Sequence, residues 1–309
     1  MAKDIYIGNT DHDWFEFCAA NSPLSEVNFW QPSRQHFKAL DEGGIFFFRR
    51  KAPINKISGF AVLASSGVAS IRTCWEELGI SNDTRTDQDF LERVRKYNPS
   101  RFVDVQTLIG FKILVNPVFL KESEWFDVPS DWSQNIVSGK TYDSMSREGE
   151  RLLSLYRKHQ DGGQRSEGIE NFGFSDQPAA GYSVGQPQKV RMGQSRFKFA
   201  LLSAYDGKCA VTGCAVQSLL EEAHILPFAE TMDNDVTNGI LLRCDIHTLF
   251  DRGLLHIDEN YTVLLNDNFR QANSDEKAYL QFHGRKMKLP MVRRHRPSVD
   301  KLALRLRRF

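Results

Sequence analysis

The stretch Leu219–Leu255 reads LLEEAHILPFAETMDNDVTNGILLRCDIHTLFDRGLL. The run from Leu219 to Ile225 predicts a strand that delivers His224 near its end. Pro227 and the Asp233-Asn234-Asp235 run then predict a loop. Asp245 can cap or open the next helix, which carries His247 and Asp251 four residues apart on one face and stops at Gly253. Fourteen positions separate His224 from Asn238, and nine separate Asn238 from His247. At that spacing a strand-end histidine, a loop asparagine and a helix histidine can meet around one metal ion.

Outward from this stretch, Ser195–Tyr205 has Phe197, Leu201 and Ala204 on one helical face, with Gly207 placed for the left-handed position beyond its end. Cys209–Thr212 reads as a short strand into a turn at Gly213, and Leu254–Ile257 with Tyr261–Leu265 as a hairpin. From Gly193 to Asp258 the text GQSRFKFALLSAYDGKCAVTGC…LLEEAHILPF…NGILLRCDIHTLFDRGLLHID resembles the HNH (ββα-metal) nuclease family, in particular members fused to DNA-recognition modules in restriction enzymes. The resemblance implies that His224 is the general base and that Asn238 holds it in its productive orientation. It also implies that His247 ligates a metal from the helix, with Asp251 one turn later as a second ligand. The implied cofactor is a divalent ion at the scissile phosphate, Mg²⁺ first, with Mn²⁺, Ni²⁺ or Co²⁺ as alternatives. One position departs from the family. Many members carry a metal-binding Asp or His just before the base, where this chain has Ala223. Glu221 or Glu222, or else waters and phosphate, are the candidates to complete the shell.

Composition bounds what surrounds this motif. A length of 309 residues suggests two domains. The formal net charge is +1, so no global field names a partner, and local patches matter more. The clearest patch is 285–309, with ten Lys or Arg against the single acid Asp300; Arg305, Arg307 and Arg308 are its candidate phosphate contacts. The five cysteines are odd in number and scattered, which points to free thiols in a reducing cytoplasm. Cys209, Cys214 and Cys244 do not form two spaced pairs, so no structural zinc is expected. The first residues do not read as a signal peptide, and no apolar run approaches the roughly 18 residues of a membrane span.

Residues 1–142 read as mixed, with more strand than helix. Asp4–Gly8, Gly44–Arg49 and Gly59–Ala64 are strand candidates, and Leu108–Val118 is a strand broken by Pro117. Trp14–Asn21, Ile71–Leu78 (stopped by Gly79) and Asp87–Lys96 have helical spacing. The succession FWQPS, GGIFFFRR, ISGFAVLAS, LIGFKILVNPVF resembles the PUA superfamily, in particular its EVE branch. That resemblance implies a small β-barrel with inserted helices that holds an extruded, chemically modified base against aromatic rings. Fusions of such domains to HNH nucleases are modification-dependent restriction enzymes. Reading a base in this way costs a few kcal/mol for flipping, offset by about 1–3 kcal/mol of stacking per base. Trp30, Trp75 and Trp125 are the leading ring candidates, with Phe29, Phe47 and Phe48 behind them; Ser33 and Arg34 supply a polar setting beside Trp30. Each ring has an alternative reading as a core residue; Arg34, Arg49, Arg50 and Lys51 could clamp phosphates or, alternatively, form a solvated charged face.

Between the two parts, Ser144–His159 predicts a helix with Met145, Leu152, Leu155 and Tyr156 as its apolar stripe. It either closes the first domain or crosses to the second. Residues 161–188 hold six glycines and two prolines and read as a linker. The expected fold is therefore α+β: an EVE/PUA-like recognition domain over 1–142, a helix and linker over 143–188, and an HNH endonuclease domain with a basic tail over 189–309. The expected function is a modification-dependent, type IV-like restriction endonuclease. It would act on double-stranded DNA carrying 5-methyl- or 5-hydroxymethylcytosine, in the cytoplasm, away from any membrane. A homodimer is compatible with the sequence. Two alternatives stand beside this reading: an HNH nuclease with a general DNA- or RNA-binding first domain, and a non-catalytic DNA-binding protein.

Overall fold

The computed structural model describes residues 3–133, 135–161, 186–267 and 277–308, and of 161 and 186–193 the backbone alone. The described residues fall into two compact units, one up to residue 161 and one from residue 186. The class is α+β. No helix among the described residues is long and apolar enough to cross a membrane.

The first unit is built on Ile45–Arg50 (β3), six residues buried on both faces. Such a run suits a central strand covered on both sides. It pairs in parallel with Ile5–Thr10 (β1) and antiparallel with Lys56–Ser70 (β4). Glu26–Asn28 (β2), Leu108–Phe119 (β5), Phe126–Asp127 (β6) and Gly139–Tyr142 (β7) complete the sheet in the order β2-β5-β4-β3-β1-β7, with β6 on the start of β4. Among the described residues no ladder joins β2 to β7. Side chains of β3 alternate between two cores. Phe46 and Phe48 pack with Tyr6, Val27 and Leu63, and with Trp14 and Phe15 of helix His12–Ala20 (α1). Phe47 turns the other way, toward Phe60 and Phe126. Helix α4, Arg147–Asp161, belongs to that second core: Leu152 is buried and the Tyr156 ring meets Phe60 edge-on at 5.0 Å. The helix thus packs on the first unit. Met145 precedes it and is 82% exposed, so it is not part of the apolar stripe the spacing suggests.

Helices Ile71–Leu78 (α2) and Asp87–Lys96 (α3) begin on the caps Ser70 and Thr86, whose side chains accept Thr73 and Asp89 N–H. Gly79, at φ 49°, ends α2. Pro117 does not break β5. The register moves from Val62↔Val115 to Phe60↔Val118, and Asn116, at φ 51°, turns its N–H to Ser25 O. Pro117 sits in that bulge, where no ladder N–H is needed.

In the second unit, Gln186–Ala204 (α5) starts nine residues before the predicted helix. Its end is as the sequence suggests, with Gly207 at φ 60° donating to Leu202 O. Cys209–Thr212 forms a turn rather than a strand, closed by Gly213 N–H to Cys209 O. Cys209 Sγ accepts the Thr212 and Arg243 N–H groups, which ties that turn to the sheet. Leu220–His224 (β8) and Gly239–Arg243 (β9) form an antiparallel pair, with the short helix Phe228–Thr231 (α6) between them and Cys244–Asp251 (α7) directly after. Asp245 lies inside the first turn of α7, held by Arg243 and the Tyr279 hydroxyl, and does not cap it. Leu255–Ile257 (β10) and Val263–Leu265 (β11) make the expected hairpin, and a C-terminal helix spans Val299–Leu306. The linker expected over 161–188 lies almost wholly outside the described residues.

Candidate active site

β8 ends at His224, opposite Gly239 in the ladder. On the α5 side, the Phe197 ring stacks on the imidazole, with centroids 4.2 Å apart and planes inclined by 17°. Gly239 makes room for this: a Cβ there would lie 2.5 Å from Phe197 Cζ. The ring edge is fixed by Asn234, whose Oδ1 sits 3.0 Å from His224 Nε2. An amide oxygen only accepts, so that contact selects the Nε2–H tautomer and leaves the Nδ1 lone pair bare.

Asn238 is fully buried, and its side chain bonds the loop backbone rather than the imidazole. Its Oδ1 accepts Leu226 N–H at 3.0 Å, and its Nδ2 donates to Leu226 O at 3.1 Å and Asp233 O at 2.9 Å. Its backbone O accepts Ile225 N–H at 2.8 Å. One side chain thus fastens both ends of the loop between β8 and β9, and His224 is positioned through the backbone. Asn234, which does touch the imidazole, was visible in the sequence only as one of three polar loop residues.

Across the site, His247 of α7 is bracketed by two carboxylates. Its Nδ1 is 2.8 Å from Glu221 Oε2, and its Nε2 is 3.2 Å from Asp251 Oδ2. Burial opposes charge on this ring, but Asp251 and Glu221 outweigh it and hold His247 above the ordinary histidine range. Asp251 is held below the usual carboxylate range by the His247 hydrogen bond first, with weaker help from Arg305 and His224. Arg305, which bonds both Ile225 O next to His224 and Phe250 O next to Asp251, ties the strand end and the helix pair to one site. Ala223 is fully buried. Of the two glutamates that precede it, Glu221 faces His247, whereas Glu222 faces α5 and lies 3.7 Å from Lys198.

Among the described residues, no three His, Cys, Asp or Glu side chains are arranged to enclose an ion. The donor chemistry nevertheless fits one. Two neighbouring ligands of an octahedral ion, each about 2.1 Å from it, lie about 3 Å apart, and His247 Nε2 and Asp251 Oδ2 span 3.2 Å.

Arg305 is not displayed to solvent with the rest of the basic tail. It is 6% exposed. Its Nη1 donates to Ile225 O at 2.9 Å, its Nη2 to Phe250 O at 2.5 Å, and its guanidinium lies 3.7 Å over the Phe250 ring. It clasps the residue after His224 to the residue before Asp251, and the phosphate role expected of it is overturned by this burial. Arg308 is exposed but paired with Glu230 at 2.7 Å. Arg307 is exposed and in no ion pair among the described residues.

In the first unit, Trp30 is half-buried, donates its indole N–H to Asp83 Oδ1 at 2.8 Å, and meets Phe90 and Tyr97 edge-on. Trp75 is half-buried against the same Phe90. Trp125 donates to Leu120 O and lies beside Arg50, itself paired with Glu16. Lys112 is buried beneath the 29–31 segment, donating to Phe29 O and Gln31 Oε1, and burial pushes its ammonium down to about 7. Two cavities meet at Tyr97, a residue the sequence did not single out. One, of about 420 Å³, is lined by Asp83, Arg93 and neighbours. The other, of about 340 Å³, is lined by Pro32, Ser33 and residues 97–101. Arg34, next to Ser33, is exposed.

Residues 209–258 match the HNH endonuclease family. The second unit therefore carries an HNH endonuclease domain, and His224, Asn238, His247 and Asp251 all lie within it. No curated protein matches the chain. Among solved structures, the ASCH protein from Zymomonas mobilis is 13% identical at a TM-score of 0.34, over 50% of this chain and 96% of its own. The modification dependent TagI restriction endonuclease is 12% identical at a TM-score of 0.26, over 100% of this chain and 82% of its own. Likeness at these levels assigns no role to any residue here.

Two outcomes follow from the geometry. Asn238→Ala strands buried partners, each costing about 1–3 kcal/mol, so it should melt well below Asn234→Ala, which loses one hydrogen bond. Thermal unfolding of both variants checks this, and equal melting temperatures would contradict the clamp. Arg305→Met should lower stability and leave the salt dependence of DNA binding unchanged. Arg307→Gln should do the reverse, reducing the slope of log K against log salt by about 0.9; a flattened slope in Arg305→Met would place that side chain on DNA after all.

Proposed function

We propose that the chain is a modification-dependent DNA endonuclease. In this reading the first unit holds a flipped modified cytosine, 5-methyl- or 5-hydroxymethylcytosine, and the HNH domain hydrolyses the phosphodiester. The observation that supports the catalytic half is that the strand end carrying His224 and the helix end carrying the His247–Asp251 pair are clasped together by Arg305 within the matched domain. His224 Nδ1 takes the proton of the attacking water, the Nε2–H bond to Asn234 holds the ring in place, and Phe197 fixes its plane. Asn238 and Arg305 are positioning residues. His247 and Asp251 would hold a divalent ion, with Glu221 beside them to orient His247 or to join the shell. Such an ion supplies charge stabilisation at the scissile phosphate and the leaving oxygen.

The reader half is supported by the cavities that meet at Tyr97. A carboxylate there suits the amino group of cytosine, and Tyr97 suits its face. Trp30, bonded to Asp83 and edge-on to Tyr97, acts as a strut behind those residues more than as a free stacking face.

Digestion of matched plasmids, with and without cytosine modification, tests both halves. The modified plasmid should be cut in Mg²⁺ or Mn²⁺, and chelator should abolish cutting. His224→Ala should slow it by at least about 100-fold with DNA binding retained. Equal cutting of both plasmids would remove the reader role, and full activity in excess chelator would remove the metal role.

A further inference from the structure

Twenty-two phenylalanines are spread along the chain. Phe102 stands out among the described ones: 86% of it is exposed. Tyr97, at 44%, is the other exposed aromatic ring among the described residues. Both belong to one loop, Tyr97-Asn-Pro-Ser-Arg-Phe102, which borders the cavity lined by Pro32 and Ser33.

The loop is braced from within. Asn98 Nδ2 donates to Val94 O, and Arg101 N–H to Asn98 O. Arg95 Nε donates to Val103 O at 3.0 Å, and the Val103 side chain is buried. Phe102 is thus held outward between two anchored neighbours and does not fold back onto the unit. From Arg93 to Val103 the chain carries four cations and no acid, with Glu92 and Asp104 just outside that run and the Tyr97 hydroxyl donating to Asp11. Arg93 is spent on Asp83, whereas Arg95, Lys96 and Arg101 are exposed and in no ion pair among the described residues.

We propose that Phe102 is a wedge that enters the base stack of duplex DNA, while Lys96 and Arg101 take the flanking phosphates. The inference rests on the reading of this unit as a DNA binder. An apolar ring on a braced loop that also carries exposed cations suits a partner with stacked apolar faces and a phosphate backbone. Its place beside the Tyr97 cavities puts it where it would fill the gap left by an extruded base.

The test uses the full chain in chelator, so that nothing is cut. The probe is a 30-base-pair DNA duplex with one central 5-hydroxymethylcytosine and 2-aminopurine as its neighbour; controls are the same duplex with plain cytosine and a single-stranded RNA of equal length. Binding by the parent should raise 2-aminopurine fluorescence as the stack opens. Phe102→Ala should remove that rise and weaken duplex binding by about 5- to 150-fold, and Phe102→Trp should restore both. Because the ring is exposed, Phe102→Ala should keep the parent melting temperature. Lys96→Gln with Arg101→Gln should weaken duplex binding and flatten its salt dependence while the fluorescence rise at saturation persists.

Parent-like affinity and fluorescence in Phe102→Ala would overturn the wedge. So would a large fall in its melting temperature, which would mean that the ring is packed. Loss confined to the RNA would assign the loop to a different partner and overturn it as well. Equal parent affinity for modified and plain duplexes, with Phe102→Ala weak on both, would remove the modified-base reading and leave the wedge standing.

Discussion

The second unit depends on one buried amide. Asn238 places three hydrogen bonds on the backbone of the loop that leaves β8 and returns as β9. Without them, Leu226 N–H, Leu226 O and Asp233 O would be buried polar groups in need of partners. The strand pair could still form, but the loop that leaves His224 would lose the side chain that fastens both of its ends. Arg305 makes the same kind of contact from the C-terminal helix, clasping Ile225 O to Phe250 O. One short loop and one helix end are therefore held from two sides, and the residues nearest the clamps are His224 and Asp251. Rigid support of this kind keeps catalytic groups within the small tolerances that proton transfer needs.

Electrostatics then divide the site into two roles. His224 has a neutral amide as its polar partner and an aromatic face beneath it, which suits a group that must accept a proton. His247 lies between two carboxylates, which suits a ligand whose orientation and basicity are set by its neighbours. Ala223 offers no donor at the position just before His224, and Glu221 on the same strand faces the helix instead.

Much of this was legible in the sequence wherever local chemistry decides the outcome. Helices α2 and α3 have the predicted boundaries because Ser70, Thr86 and Gly79 end them by hydrogen bonds and backbone freedom within a few residues. The spacing of His224, Asn238, His247 and Asp251 likewise encodes strand, loop and helix. What was not legible depends on partners far away in sequence. Pro117 stays within a strand because a bulge against β4 absorbs it. Arg305 reads as one cation among ten until Ile225 O and Phe250 O, 80 and 55 residues away, take its guanidinium. Asn234 and Asn238 look alike in the sequence, and their tertiary partners separate the one that touches His224 from the one that holds the loop. Trp30 stands in a polar segment because Asp83 needs a donor, a reason that its neighbours in sequence do not reveal.

The most direct measurement is histidine NMR of the ¹⁵N-histidine-labelled full chain during Mn²⁺ addition, with His224 and His247 assigned by substitution. Before the ion is added, His224 should carry its proton on Nε2, with Nδ1 bare. As Mn²⁺ is added, His247 should broaden first and His224 next. A His224 protonated on Nδ1 alone, or a His247 signal unmoved at Mn²⁺ concentrations that support cleavage, would contradict the assignment of base and ligand.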